Sequence, residues 1–188
     1  MVIQYIMSKL DSKFIEVYCQ VHDACKEITT LLAKYRLKEP NSKKRNRACR
    51  MSDSEIITIL IMFHYGHFTC FKQYYKEYIG FHLKSHFPNL LSYSRFIHIQ
   101  NRVAIPLLLF LKMNGLGKST GVNFVDSTAL SVCRNQRIHS HKVFKGLAER
   151  GKTTMGWFFG FKLHLIINDK GEILSFCLTP GNVDDRNL

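Results

Sequence analysis

Val122-Asn123-Phe124-Val125-Asp126-Ser127-Thr128-Ala129-Leu130 is the stretch that decides the fold. It reads as a β-strand, and alternation puts Asp126 on the same face as Val122 and Phe124. Aspartate is depleted in strands, and a charge on an apolar face is costly unless it is paired or holds a metal. The run therefore predicts a strand whose carboxylate serves something other than packing. A long hairpin is expected downstream: Trp157 to Ile167, the turn Asn168-Asp169-Lys170-Gly171, then Glu172 to Leu178. From Trp157 to Ile167 every odd position is apolar. The even positions include Gly160, Lys162 and His164, so the even face is expected to meet solvent or a ligand.

Upstream of this sheet the chain reads as helical. Ile6, Leu10, Phe14, Val17 and Val21 recur every three or four residues, which predicts a helix to about residue 36. From Lys34 to Arg50 the only acid is Glu39, and Pro40-Asn41-Ser42 interrupts any helix, so a basic linker is expected there. Ser52 and Glu55 form a capping-box pattern ahead of Ile56, Ile57, Ile59, Leu60 and Phe63. Residues 69 to 87 mix aromatics with lysines, and two further helices are expected around Ser94–Arg102 and Pro106–Met113. Gly115-Leu116-Gly117-Lys118-Ser119 is not a phosphate loop. Lys112 stands where the first glycine is needed, and the string precedes a strand instead of following one. The expected class is α+β, with a helical region over 1–115 and a sheet of three antiparallel strands over 116–188.

The 188 residues carry a formal net charge of +13, with a pI near 9.6. Such a balance points to polyanionic partners and says nothing about fold. Six cysteines lie far apart with no Cys-x-x-Cys pair, as expected of reduced thiols in a cytoplasmic protein. Polar residues appear by Ser8, which does not suit a secretory leader. The apolar runs, Ile105 to Leu111 among them, look too short to span a bilayer, so no membrane partner is expected.

Between Ser127 and Asn168 lie Arg134, Arg137, Lys142, Lys145, Arg150, Lys152 and Lys162, against the single acid Glu149. A basic stretch beside a strand-borne aspartate suits a phosphate backbone; the plainer reading is a solvated loop. The candidate DNA-binding residues are Lys43, Lys44, Arg45, Arg47, Arg50, Arg150, Lys152 and Lys162. Cys133, His139 and His141 fall short of the four ligands that structural zinc wants. His164 is either a hydrogen-bonded or a DNA-facing residue. Asp184 and Asp185 are open to two roles, a second metal ligand or acids favouring a helix N-terminus.

Val125-Asp126-Ser127-Thr128, Lys145-Gly146, Gly156 through His164, and Leu178-Thr179-Pro180-Gly181-Asn182-Val183-Asp184-Asp185 follow one another in an order that resembles the DDE transposases of bacterial insertion sequences. The resemblance implies an RNase H-like catalytic domain that cleaves and transfers DNA strands at transposon ends, dependent on Mg²⁺ or Mn²⁺. It makes Asp126 the first catalytic carboxylate and a metal ligand. The family's second aspartate lies in an Asp-x-Gly-Tyr strand and its glutamate on a later helix, and neither occurs before Leu188. Asp184 and Asp185 fall in an Asn-Val-x-Asp segment outside that triad. The chain therefore resembles the N-terminal portion of such an enzyme, catalytically incomplete and with an unpaired sheet edge. Implied partners are duplex DNA, as terminal inverted repeats and target, and further copies of the chain. The alternative is a non-catalytic DNA-binding regulator that occupies transposon ends.

Overall fold

The computed structural model describes residues 2–35 and 49–184, with side chains over 9–34 and 49–184. The chain forms two compact units, residues 1–114 and 115–188. The first is helical and the second is an antiparallel sheet, the α+β arrangement expected.

In the helical unit, α1 (Val2–Tyr35) buries one stripe, Phe14, Val17, Val21, Ala24 and Ile28. Their spacing of three or four residues keeps them on one face. That face packs on α2 (Asp53–Tyr65), which starts where its capping box lies. Ser52 Oγ accepts from the Glu55 N–H at 3.2 Å, and Glu55 Oε2 accepts from the Ser52 N–H at 2.6 Å. Two helix N–H groups that would otherwise lack partners are thereby satisfied. Arg102 ties this end down by pairing with Asp53. Ile56, Ile57, Ile59 and Met62 are all buried, which makes α2 the centre of the layer.

The aromatic-rich stretch forms a short α3 (Phe71–Gln73) that widens into a π-helix over Tyr74–His82. Tyr74, Tyr75 and Tyr78 are buried there, each donating its hydroxyl proton: to Ile59 O, to Leu91 O and to Asp11 Oδ1. Burial pushes all three phenols up, that of Tyr75 to about 12; Asp11 adds to the effect at Tyr78. A phenol whose pKa is higher in the folded chain than the unfolded value near 10 stabilises the fold below that value. The contribution drains away as pH rises through about 12. The helical unit is therefore expected to unfold between about pH 10 and 12 in a transition that tracks tyrosinate absorbance near 295 nm. Helical circular dichroism unchanged across that range would contradict the assignment.

α4 (Tyr93–Ile99), a 3₁₀ turn (Gln100–Val103) and α5 (Ala104–Asn114) run on from one another. Tyr93–Asn114 is thus one helical run of 22 residues, long and apolar enough by composition to cross a membrane, with only 11% of its most apolar window buried. This corrects the expectation that every apolar run is too short, because α5 read alone leaves out the turns that precede it. A core helix passes the same test, and this run carries Arg95, Arg102 and Lys112.

The sheet has four strands among the described residues, one more than expected: β1 (Asn123–Cys133), β2 (Glu149–Thr153), β3 (Gly156–Asn168) and β4 (Ile173–Pro180). The long β3 is central. β1 pairs with it antiparallel from Asn123↔Asn168 to Cys133↔Phe159, with a bulge at Val132. Because β1 takes one edge of β3, β2 and β4 share the other, opposite residues 156–160 and 161–167 respectively. The outer edge of β1 has no strand partner among the described residues. The turn after β3 is built by Asn168, whose Oδ1 accepts from the N–H groups of Lys170 and Glu172 at 3.0 and 2.8 Å. Gly171 takes the left-handed conformation there, with φ of 78°.

The two faces of β3 reverse the sequence expectation. Its buried residues are even-numbered: Phe158, Gly160, His164 and Asn168. The odd, apolar positions are half-buried or, at Trp157, exposed. Polar residues on the even face find partners inside the unit, so that face needs no solvent. His164 Nε2 lies 2.8 Å from Thr179 Oγ1, and Asn168 Nδ2 donates to Lys118 O and Glu172 Oε2.

Candidate nucleic-acid and metal site

Register fixes what surrounds Asp126. It stands opposite Leu165, with Phe124↔Ile167 on one side and Thr128↔Leu163 and Leu130↔Phe161 on the other. Across β3, Phe176 and Leu178 of β4 continue the same face. The carboxylate therefore lies in an apolar field, as its alternation predicts. That field is open, however: Asp126 is exposed, and Phe124, Leu130 and Leu178 keep 54%, 42% and 55% of their surface. The desolvation cost inferred from the sequence does not apply, because water reaches the carboxylate directly. Asp126 Oδ1 accepts from the Ser127 N–H at 2.8 Å, which orients the group without burying it.

The basic candidates divide by position. Arg150 and Lys152 on β2 are exposed and pair with Phe159 and Trp157, odd positions on the Asp126 side of the sheet. Measured along β3 from Leu165 to Phe159, Arg150 stands roughly 20 Å from Asp126 at about 3.3 Å per residue. Lys162 pairs with Ala129 and so lies on the opposite face, where its Nζ donates to Val183 O at 2.9 Å. Arg50 is exposed ahead of α2 in the helical unit. Lys43, Lys44, Arg45 and Arg47 lie outside the described residues, as does Asp185. Asp184 is exposed and in no helix.

Among the described residues no three His, Cys, Asp or Glu side chains gather as a metal-binding group. This bears on zinc first. His141 packs as an aromatic, 5.8 Å from Phe144 and 6.2 Å from Phe159 between ring centroids, which caps one end of the apolar face. It bears also on Mg²⁺. Asp126 offers a hard oxygen donor of the right kind, but near-octahedral coordination needs carboxylates from further elements. The described residues alone do not fit a two-metal centre. All six cysteines are free.

Sequence reasoning missed β2, since Glu149-Arg150-Gly151-Lys152-Thr153 lacks the β-branched and aromatic residues that mark strands. It also assigned Trp157 to an apolar packing face, whereas 59% of its surface is exposed. The signal was available: Trp157 immediately follows Gly156 at the head of its strand, where the hairpin leaves little to cover it.

The second unit thus presents a strand-borne carboxylate on β1 at the open face of an antiparallel sheet, with Arg150 and Lys152 exposed on β2 across the central β3. Residues 116–188, nearly the whole second unit, match the family described as Transposase DDE domain. The resemblance drawn from the sequence and this match agree over the second unit. Comparison with curated proteins and with solved structures returned no match.

Proposed function

We propose that the chain serves a transposase of a bacterial insertion sequence, handling transposon-end and target DNA, and that Asp126 is the first carboxylate of its metal centre. The transposase DDE match over 116–188 carries this reading, and the open, solvated position of Asp126 supports it. A divalent ion held there would supply Lewis-acid charge stabilisation for displacement at phosphorus, and completing its coordination would need carboxylates beyond Asp126. Asp126 would supply one oxygen ligand, its carboxylate oriented by the Ser127 N–H. The exposed cations Arg50, Arg150 and Lys152 take the phosphate backbone, which fixes position without reading sequence. The setting is cytoplasmic, where the free thiols persist.

With no carboxylate cluster among the described residues, the chain is expected to bind DNA and to cleave it negligibly in Mg²⁺ or Mn²⁺. The discriminating measurement is paramagnetic broadening by millimolar Mn²⁺ of the backbone amide signals of Asp126 and Leu165. Broadening that vanishes in Asp126→Asn assigns the ligand. Broadening that is absent, or unaltered by that substitution, removes Asp126 from metal chemistry and leaves a DNA-binding regulator of transposon ends as the function. Because Asp126 is exposed, Asp126→Asn should change stability by less than about 0.5 kcal/mol, so lost binding will not reflect lost folding.

A further inference from the structure

The only tryptophan of the chain is also one of its more exposed apolar side chains. Trp157 shows 59% of its surface at the head of β3. An exposed indole offers a flat face on which the ring of a ligand can stack. Lys152 Nζ lies 5.8 Å from the ring centroid. Asn135 Nδ2 donates to Trp157 O at 2.8 Å, which fixes the backbone beneath the ring. Beside it, where β1 bulges and leaves β3, a cavity of about 450 Å³ is lined by Ser131, Val132, Cys133, Arg134, Asn135, Trp157 and Phe158.

The surrounding charge narrows the ligand. Arg134, Arg150 and Lys152 are exposed around this end of the sheet, and Glu149 is the single acid on the neighbouring strand. An aromatic face among cations suits a flat ring attached to phosphates. Every nucleobase has such a face, and stacking plus phosphate contacts is how unpaired strands are held. Paired bases do not qualify, because their faces are covered by neighbours in the duplex. We infer that Trp157 is a stacking platform for an unpaired nucleobase of the DNA substrate, with Arg134, Arg150 and Lys152 on the flanking phosphates.

This rests on the reading of the chain as a DNA-handling protein and adds a site to it. Along β3, Trp157 lies roughly 25 Å from the Leu165 position opposite Asp126. The stacked base is therefore remote from the carboxylate, and Trp157 is a positioning residue.

The lone tryptophan is its own reporter. Full chain is titrated with a fluorescein-labelled 12-mer single strand and with the same sequence fully paired. Anisotropy follows binding in each titration, and an unlabelled parallel follows indole emission. The single strand should quench the emission, and the paired duplex should leave it nearly unchanged. Trp157→Ala should weaken single-strand binding roughly 5- to 150-fold, the worth of one stacked base, and alter duplex binding less than about twofold. Trp157→Phe should recover part of the loss, since a smaller ring still stacks. The exposed position leaves the fold intact in both variants. Emission unmoved at saturating single strand, or equal losses for single strand and duplex in Trp157→Ala, would overturn the platform. In either case intact duplex binding and Mn²⁺ broadening at Asp126 would leave the transposase reading standing.

Discussion

Affinity of the full chain for duplex DNA is expected to fall by about 10³- to 10⁴-fold between 50 and 200 mM salt. Each neutralised phosphate releases condensed counterions, so log affinity falls against log salt with a slope near −0.9 per contact. Eight cations are candidates for those contacts, and Lys162 is set aside because its ammonium group already serves the Val183 carbonyl. Seven contacts give a slope near −6, and a fourfold rise in salt then costs nearly four decades. Replacing Lys43, Lys44, Arg45 and Arg47 together by alanine should make the slope shallower by about 3.6. The loss should be the same on transposon-end and random duplex, because phosphates carry no sequence. A wild-type slope shallower than about −2 would mean that the charge of +13 is solvated surface. A quadruple variant that loses only end-specific binding would place those four residues on base edges.

The parts of this molecule that were legible in the sequence are those where a local pattern has one physical solution. Ser52 and Glu55 could be read as a helix start because the capping box satisfies two orphan N–H groups at once, and the structure closes both bonds. The turn after Ile167 was legible for a similar reason: asparagine and glycine at fixed offsets build it almost unaided. The position of Asp126 on an apolar face followed from alternation alone. What alternation could not show is which face of β3 would be covered. Apolar side chains at odd positions pointed one way, yet the even face holds the buried residues because His164 finds a hydrogen-bond partner on β4 and Asn168 finds its own in the turn and at Lys118. Pairing of that kind depends on which side chains β4 brings opposite β3, and on Lys118, which lies far from Asn168 in sequence. β2 was hidden for a different reason. Its strand character comes from the hairpin that holds it to Trp157–Gly160, and its own composition of charge and glycine argues against a strand.

Gly160→Ala should cost the sheet heavily for a single methyl group. A Cβ at that position would stand 2.0 Å from the Leu130 carbonyl oxygen and 3.1 Å from the Val132 nitrogen, both backbone atoms of β1. No rotamer change relieves a clash between one backbone and another, so β1 must move away from β3. On the other edge Gly160 O accepts from the Gly181 N–H at 2.9 Å, which resists a compensating shift toward β4. Prising β1 off sacrifices ladder hydrogen bonds at about 1 kcal/mol each, together with the cross-strand pairs Leu130↔Phe161 and Thr128↔Leu163. The total should exceed about 4 kcal/mol, a range reached by few point substitutions. Ser131→Ala is the matched control: it sits opposite Gly160 in the register, is exposed, and adds no atom, so it should stay within about 0.5 kcal/mol. Amide hydrogen exchange resolves the two units separately. In Gly160→Ala, protection should collapse across β1 and β3 and persist in α2, whose core of Ile56, Ile57, Ile59 and Met62 lies in the other compact unit. The Asp126 carboxylate would lose its fixed place opposite Leu165 at the same time, and Mn²⁺ broadening at the Leu165 amide should vanish although no ligand has been changed. Protection of β1 equal to wild type would show that the strands part locally at little cost, and that the glycine is not what lets β1 lie against β3.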